Sequence, residues 1–234
     1  MVDIALRGAL YDNDSADLLR YFGWRDITAP MDIMAALDAA GGDEVTLLIN
    51  SPGGDMAVGA EIRSMLRRYS GKTTALFQGR GASAATLAAS GCNVIQSEPG
   101  ALLCYHNPIC GAEGDFHEMQ RAAKSLRNAR DCIVEMYQAR NSSKSREELI
   151  ALMNENIWIT PTKAKEYGLL DEIVGIDDTA YDPAEFVADA DHRILITASM
   201  RQKYQDHIAA QREAAAAEEK AKCALAYARA LASY

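Results

Sequence analysis

The sequence predicts an α/β protein in which short strands alternate with helices around a mostly parallel sheet. Two observations carry that prediction. Apolar runs of strand length, such as "VTLLI" at 45–49 and "TTALF" at 73–77, are separated by segments whose apolar residues recur at helical spacing. Helix starts and stops fall where they should, with Pro near the beginnings and Gly just past the ends. Strands and helices at this spacing imply βαβ crossovers.

The elements follow in order. "APMDIMAALDAA" at 29–40 places Pro30 near a helix start, Ile33, Met34 and Leu37 on one stripe, and Gly41 at the stop. The run 45–49 is a buried-type strand. It leads into "NSPGGDM", read as a strand-to-helix turn whose paired glycines allow unusual dihedrals and bring bare backbone N–H groups close to a ligand. A helix is predicted over 56–69, with Val58, Ile62, Met65 and Leu66 on its apolar side. Strand 73–77 precedes "ASAATLAAS", a helix of small residues, and the runs 93–96 and 101–105 read as further strands. One long helical pattern then covers 115–140. In "NSSKSREELIALM", Ser145 and Glu148 form a capping box. Thr160 caps "PTKAKEY", with Pro161 in its first turn and Gly168 at its end, and "DEIV" closes this part as a strand.

Three segments are expected: a folded domain at 1–175, an acidic linker at 176–198, and an Ala/Glu-rich helical tail at 199–234. The tail has strong helix propensity and little bulky apolar content, which suits a partner-binding or solvated helix.

Thirty-three acidic residues against 24 basic ones give a formal charge of −9 and a pI near 5.0, which argues against a nucleic-acid partner. No apolar run is long enough to span a bilayer, and "MVDIALRGAL" lacks the layout of a secretory signal. A cytoplasmic location without a membrane partner is therefore expected. The five cysteines, Cys92, Cys104, Cys110, Cys132 and Cys223, are odd in number and irregularly spaced, as suits reduced thiols. Cys104, His106 and Cys110 match no common zinc spacing, and no metal or organic cofactor is expected.

A nucleophile and a base emerge from the remaining residues. Ser83 in "GRGASAATLAAS" opens a helix after a strand, among residues small enough to admit a substrate backbone. Helix N-terminal N–H groups beside it favour negative charge on a bound oxygen. The structural alternative is an N-cap serine in a tight packing turn. Of the four histidines, His117, His192 and His207 fall in polar helical or linker stretches. His106 follows the apolar strand "ALLCY", at the strand end where open α/β sheets place their ligands.

Taken in order, "INSPGGD", "GRGASAA", "YHNP" and "WITPTKAKEYGLLDEIV" resemble the Clp protease proteolytic subunit family, most of all its bacteriophage head maturation (prohead) branch. The resemblance covers about residues 1–175. It implies a serine peptidase on the ClpP/crotonase-like α/β fold, with a helical arm after the histidine that mediates assembly into rings, heptameric and stacked in pairs. Ser83 matches the family nucleophile and His106 its general base. The backbone N–H groups of Gly54 and Ala84 match the oxyanion hole, and Asn156 in "NENIW" falls where the family carries its acid.

Asn can accept from the imidazole Nδ1–H and hold its tautomer, but supplies no charge. A working Ser-His-Asn triad, a register in which Glu155 takes the acid role, and a slow or inactive enzyme all remain open from sequence. The implied substrate is a protein or peptide, with a capsid or scaffold protein as partner in phage head assembly. An ATPase-fed Clp-type protease shares the chemistry and differs in how substrates arrive. A non-catalytic oligomeric scaffold is the reading from another class. Crotonase-like acyl-CoA enzymes share the paired-amide oxyanion hole but leave Ser83 and His106 unexplained, and a Ser-Lys mechanism lacks a lysine near Ser83.

Overall fold

The computed structural model describes residues 2–140 and 143–175; the expected linker, the tail, Cys223, His192 and His207 lie outside them. Strand β1 (Val2–Leu10) opens the chain, followed by α1 (Asn13–Tyr21), β2 (Ile27–Thr28) and α2 (Pro30–Ala40). Next come β3 (Val45–Gly54), α3 (Met56–Arg68), β4 (Thr73–Ala82), α4 (Ala84–Ala89), β5 (Val94–Ser97) and β6 (Leu102–Cys104). The long α5 (Phe116–Gln138), α6 (Arg146–Glu155), β7 (Trp158–Ile159), α7 (Pro161–Glu166) and β8 (Glu172–Ile173) complete the described residues.

Among the described residues the strands form one sheet in the order β2-β1-β3-β4-β5-β8, with β6 joined to β4 and β7 to β6. Every pairing is parallel except β6 with β7. The alternation of strand side chains sends Ile4 and Leu6, Leu47 and Ile49, and Ala75 and Phe77 into one core. Ile33 and Leu37 of α2 and Val58, Ile62 and Leu66 of α3 join that cluster. Each such aliphatic side chain contributes on the order of 1.5–3 kcal/mol by leaving water. The mixed α/β class expected from sequence is the architecture observed.

The sequence reading differs from the structure in two places. The sequence pattern predicts no element in the first 28 residues, yet they hold β1, α1 and β2. Asp12 caps α1, its carboxylate accepting from Ser15 N–H at 2.9 Å. Second, β3 and β4 run on well beyond 49 and 77. The "SPGG" stretch is therefore the end of a strand rather than a turn: Gly53 and Gly54 pair with Ala9 and Leu10, and Ser51 with Gly81. Pro52 lacks a partner in either ladder, so its missing N–H breaks no sheet hydrogen bond. The apolar residues of α5 divide between core and surface. Ile133 is buried with Val134 and Tyr137, whereas Met119 is exposed.

The caps expected at Ser145, Thr160 and Gly41 are formed, and Asp115 adds another. Asp115 accepts from His117 and Glu118 N–H at the start of α5 while Glu118 returns a carboxylate to Asp115 N–H. Ser145 and Glu148 make the same reciprocal pair on α6. Thr160 accepts from Lys163 N–H, and Gly41 ends α2 in the left-handed conformation.

Candidate active site

The ends of β4 and β6 place the two central side chains. Both strands run parallel, with Ala82 opposite Cys104, and the Ser83 N–H donates to the Cys104 carbonyl at 3.0 Å. Ser83 is thus one residue past β4 and His106 two residues past β6, at neighbouring C-terminal strand ends. Crevices at such ends are where open parallel sheets bind ligands.

Ser83 sits at φ 55°, ψ −128°, a conformation that non-glycine residues avoid. Such a residue costs about 1–3 kcal/mol and persists only where its surroundings over-determine it. The surroundings here are backbone. A Cβ on Gly53 would lie 2.5 Å from the Ala82 carbonyl oxygen, and one on Gly59 of α3 would lie 2.5 Å from the Ala84 carbonyl oxygen. Two close approaches, one from β3 and one from α3, therefore confine the strand-to-helix junction. Ser83 begins α4 but makes no side-chain cap hydrogen bond, which separates it from Asp115, Ser145 and Thr160. Its hydroxyl is not used as an N-cap.

A cavity of about 410 Å³ is lined by Ser83, Ala84, Gly54, His106, Asn107 and Cys110, among others. Four of the five residues singled out from sequence therefore share one concave surface. Ala84 is the first residue of α4, where a backbone N–H has no acceptor within its helix. Asn156 is not part of that lining. It is exposed and ends α6 at φ 50°, ψ 45°, the left-handed conformation that Asn tolerates better than most residues. Glu155, also exposed, is the last residue of α6. His106 Nδ1 lies 2.6 Å from the carbonyl oxygen of Asn107, and no hydrogen bond joins it to Asn156 among the described residues.

Sequence reasoning missed three residues around this site. Thr86 donates from Oγ1 to the Ser83 carbonyl at 2.6 Å, and its hydroxyl lies 2.7 Å from that of Tyr137 on α5. Since Thr86 spends its one proton on Ser83, Tyr137 is the donor of the second bond. Tyr137 is buried with its ring edge-on to Tyr105, and burial raises both phenols. The third is Asn107, whose Nδ2 donates to the Met153 carbonyl and to Asn154 Oδ1. No sequence signal marks Thr86 or Tyr137, because their pairing spans 51 residues. Asn107 was visible only as part of "YHNP".

The cysteines divide by environment. Cys104 on β6 is buried, which pushes its thiol up to about 11, and burial pushes Cys92 up to about 12. Cys110 and Cys132 are exposed. Among the described residues no group of three or more His, Cys, Asp or Glu side chains gathers to hold a metal ion, and no helix is long and apolar enough to cross a membrane.

The Clp protease family model matches residues 9–177. Among curated proteins, the chain is 30% identical over 129 residues to an ATP-dependent Clp protease proteolytic subunit from Nephroselmis olivacea, covering 54% of this chain and 62% of that protein. A subunit of the same description from Mesostigma viride is 31% identical over 128 residues, covering 54% and 56%. One from Bacteroides fragilis is 28% identical over 135 residues, covering 57% and 65%. The aligned stretch thus spans 56% to 65% of these relatives' length. A solved structure of an Asn-to-Asp mutant of ClpP1 from Listeria monocytogenes superposes with a TM-score of 0.59 at 20% identity, over 74% of this chain and 90% of that one. With a family match across most of the folded residues and this shared architecture, the chain belongs to the Clp protease family.

Proposed function

We propose that the protein is a serine endopeptidase whose nucleophile is Ser83 and whose general base is His106. The observation that carries this reading is the strained Ser83: it opens a helix without capping it, on the same cavity wall as His106 and the Gly54 and Ala84 backbone. In the proposed reaction His106 Nε2 takes the Ser83 Oγ proton as Oγ attacks the scissile carbonyl. Negative charge develops on the carbonyl oxygen, where the Gly54 and Ala84 N–H groups donate; losing one such donor costs about 10²–10³ in rate. His106 then gives its proton to the leaving amine as the C–N bond breaks, and water releases the acyl group from Ser83.

Asn156 holds the position that matches the family's acid, and its role as third member is an expectation that Asn156→Ala tests. The resemblance of "YHNP" and "WIT" to the head maturation branch supports a capsid or scaffold protein as substrate, processed without an ATPase in the host cytoplasm. Ring assembly is part of the same reading. The exposed Phe116 and Met119 on α5 supply apolar surface for it.

One observation favours a second reading. The exposed Asn156 makes no bond to His106 and contributes no negative charge, which would suit an assembly protein with a slow or silent site. Labelling of the full chain with a fluorophosphonate probe separates the two. Labelling that disappears in Ser83→Ala and falls in His106→Ala supports the peptidase. A correctly assembled oligomer that takes no label supports the scaffold.

A further inference from the structure

The peptide that follows His106 is held from two sides. A carbonyl oxygen can only accept, so in the neutral ring the 2.6 Å contact with Asn107 O puts the proton on His106 Nδ1 and leaves Nε2 with its lone pair. The Asn107 side chain is engaged separately. Its Nδ2 donates to the Met153 carbonyl at 3.3 Å and to Asn154 Oδ1 at 2.8 Å. Both belong to the last turn of α6, where backbone carbonyls have no donor within the helix. Two acceptors facing one nitrogen fix the orientation of the amide. That orientation leaves Asn107 Oδ1 buried without a partner. A buried acceptor left unpaired is unfavourable and calls for an explanation, which the anchoring of Nδ2 provides.

We propose that Asn107 is the positioning residue for His106. Its backbone carbonyl fixes the Nδ1–H tautomer, and its carboxamide clamps that peptide to the C-terminal turn of α6. The role usually given to a buried carboxylate is thereby filled by a neutral main-chain oxygen, and the left-handed Asn156 serves to end the helix that carries the clamp. The proposal rests on the peptidase reading for its catalytic meaning, though the tautomer itself does not depend on turnover.

The test is a long-range ¹H–¹⁵N spectrum of the imidazoles in the full chain at about pH 9, where histidine is neutral. The His106 signals are identified by their loss in His106→Ala. Asn107→Leu and Asn107→Asp keep the size of the side chain and remove its donor; thermal melting shows which of them is folded. The wild type is expected to show a single Nδ1–H tautomer, both Asn107 variants a mixed or reversed one, and Asn156→Ala the wild-type pattern. Fluorophosphonate labelling of Ser83 is expected to slow by about 10²-fold in Asn107→Leu, the scale set by misplacing a catalytic group by about an ångström. An Nε2–H tautomer in the wild type overturns the proposal. So does an unchanged tautomer in a folded Asn107 variant, or loss of the Nδ1–H form in Asn156→Ala. An Nδ1–H tautomer that responds to Asn107 in a protein that takes no label sinks the peptidase reading and leaves the positioning role standing.

Discussion

Gly53→Ala is expected to disable Ser83 out of proportion to its effect on folding. The added Cβ would lie 2.5 Å from the Ala82 carbonyl oxygen, 2.6 Å from Ser83 Cβ and 2.9 Å from the Ala84 nitrogen. Non-bonded carbon contacts are normally near 3.5–4.0 Å, so relief requires that the chain on either side of Ser83 move. Gly53 also has φ +86°, where an L side chain costs about 1–2 kcal/mol. Overpacking adds about 1–3 kcal/mol. Gly23 provides the control, because it has φ +89° and nothing within 4 Å of an added Cβ. Gly23→Ala therefore carries the dihedral cost alone, and the difference between the two variants isolates the clash. Displacing the Ala84 N–H, the proposed oxyanion donor, should lower fluorophosphonate labelling by about 10²–10³-fold, the scale for losing one such donor. The assay compares labelling rates at equal folded fraction, with stability read from urea midpoints. Wild-type labelling by Gly53→Ala, or a destabilisation no larger than that of Gly23→Ala, would refute the reasoning.

Three further outcomes are expected. Tyr137→Phe removes the hydroxyl that donates to Thr86 Oγ1, and should cost about 0.5–1.5 kcal/mol in urea unfolding while Thr86 keeps its bond to the Ser83 carbonyl. Burial raises the Cys92 thiol from 9.0 to about 12, so its neutral form is favoured in the folded state. That contribution is complete below about pH 9 and is lost as pH rises from there toward 12, at about 1.4 kcal/mol per pH unit. Cys92→Ala should therefore flatten the loss of stability between about pH 9 and 10, and iodoacetamide at about pH 8 should modify Cys110 and Cys132 while sparing Cys92 and Cys104. Asp115→Ala removes the carboxylate that accepts from His117 and Glu118 N–H, and should lower stability by about 1 kcal/mol in the same urea experiment.

How much was legible in the sequence depended on the range over which each feature is encoded. Helices α2, α3, α5, α6 and α7 announced themselves through local devices: Pro30, the Ser145–Glu148 pair, Thr160, and periodic apolar residues. Strand ends did not. The extension of β3 through Gly54 exists because Ala9 and Leu10 are there to pair with it, and nothing between 50 and 54 encodes that partner. The N-terminal strand buries Ile4, Leu6, Gly8 and Leu10 in alternation, but Gly8 has no side chain to show the apolar period in the sequence. That Ser83 and His106 would lie near one another could be read from their places at the C-terminal ends of two strands, the ends that bind ligands in open parallel sheets. Their supports could not, since Thr86 with Tyr137 and Asn107 with Met153 join positions 51 and 46 residues apart.

These long separations also set the order in which the site can come into being during synthesis. A nascent chain that has exposed residues up to His106 already carries Ser83 and the imidazole. It lacks Tyr137, which braces the turn behind Ser83, and the Met153–Asn154 turn to which Asn107 is tied. Parallel pairing delays matters further, because contacts distant in sequence form late. The cavity wall that carries Ser83 and His106 is thus completed only after α5 and α6 have been made, about 50 residues after the two side chains themselves.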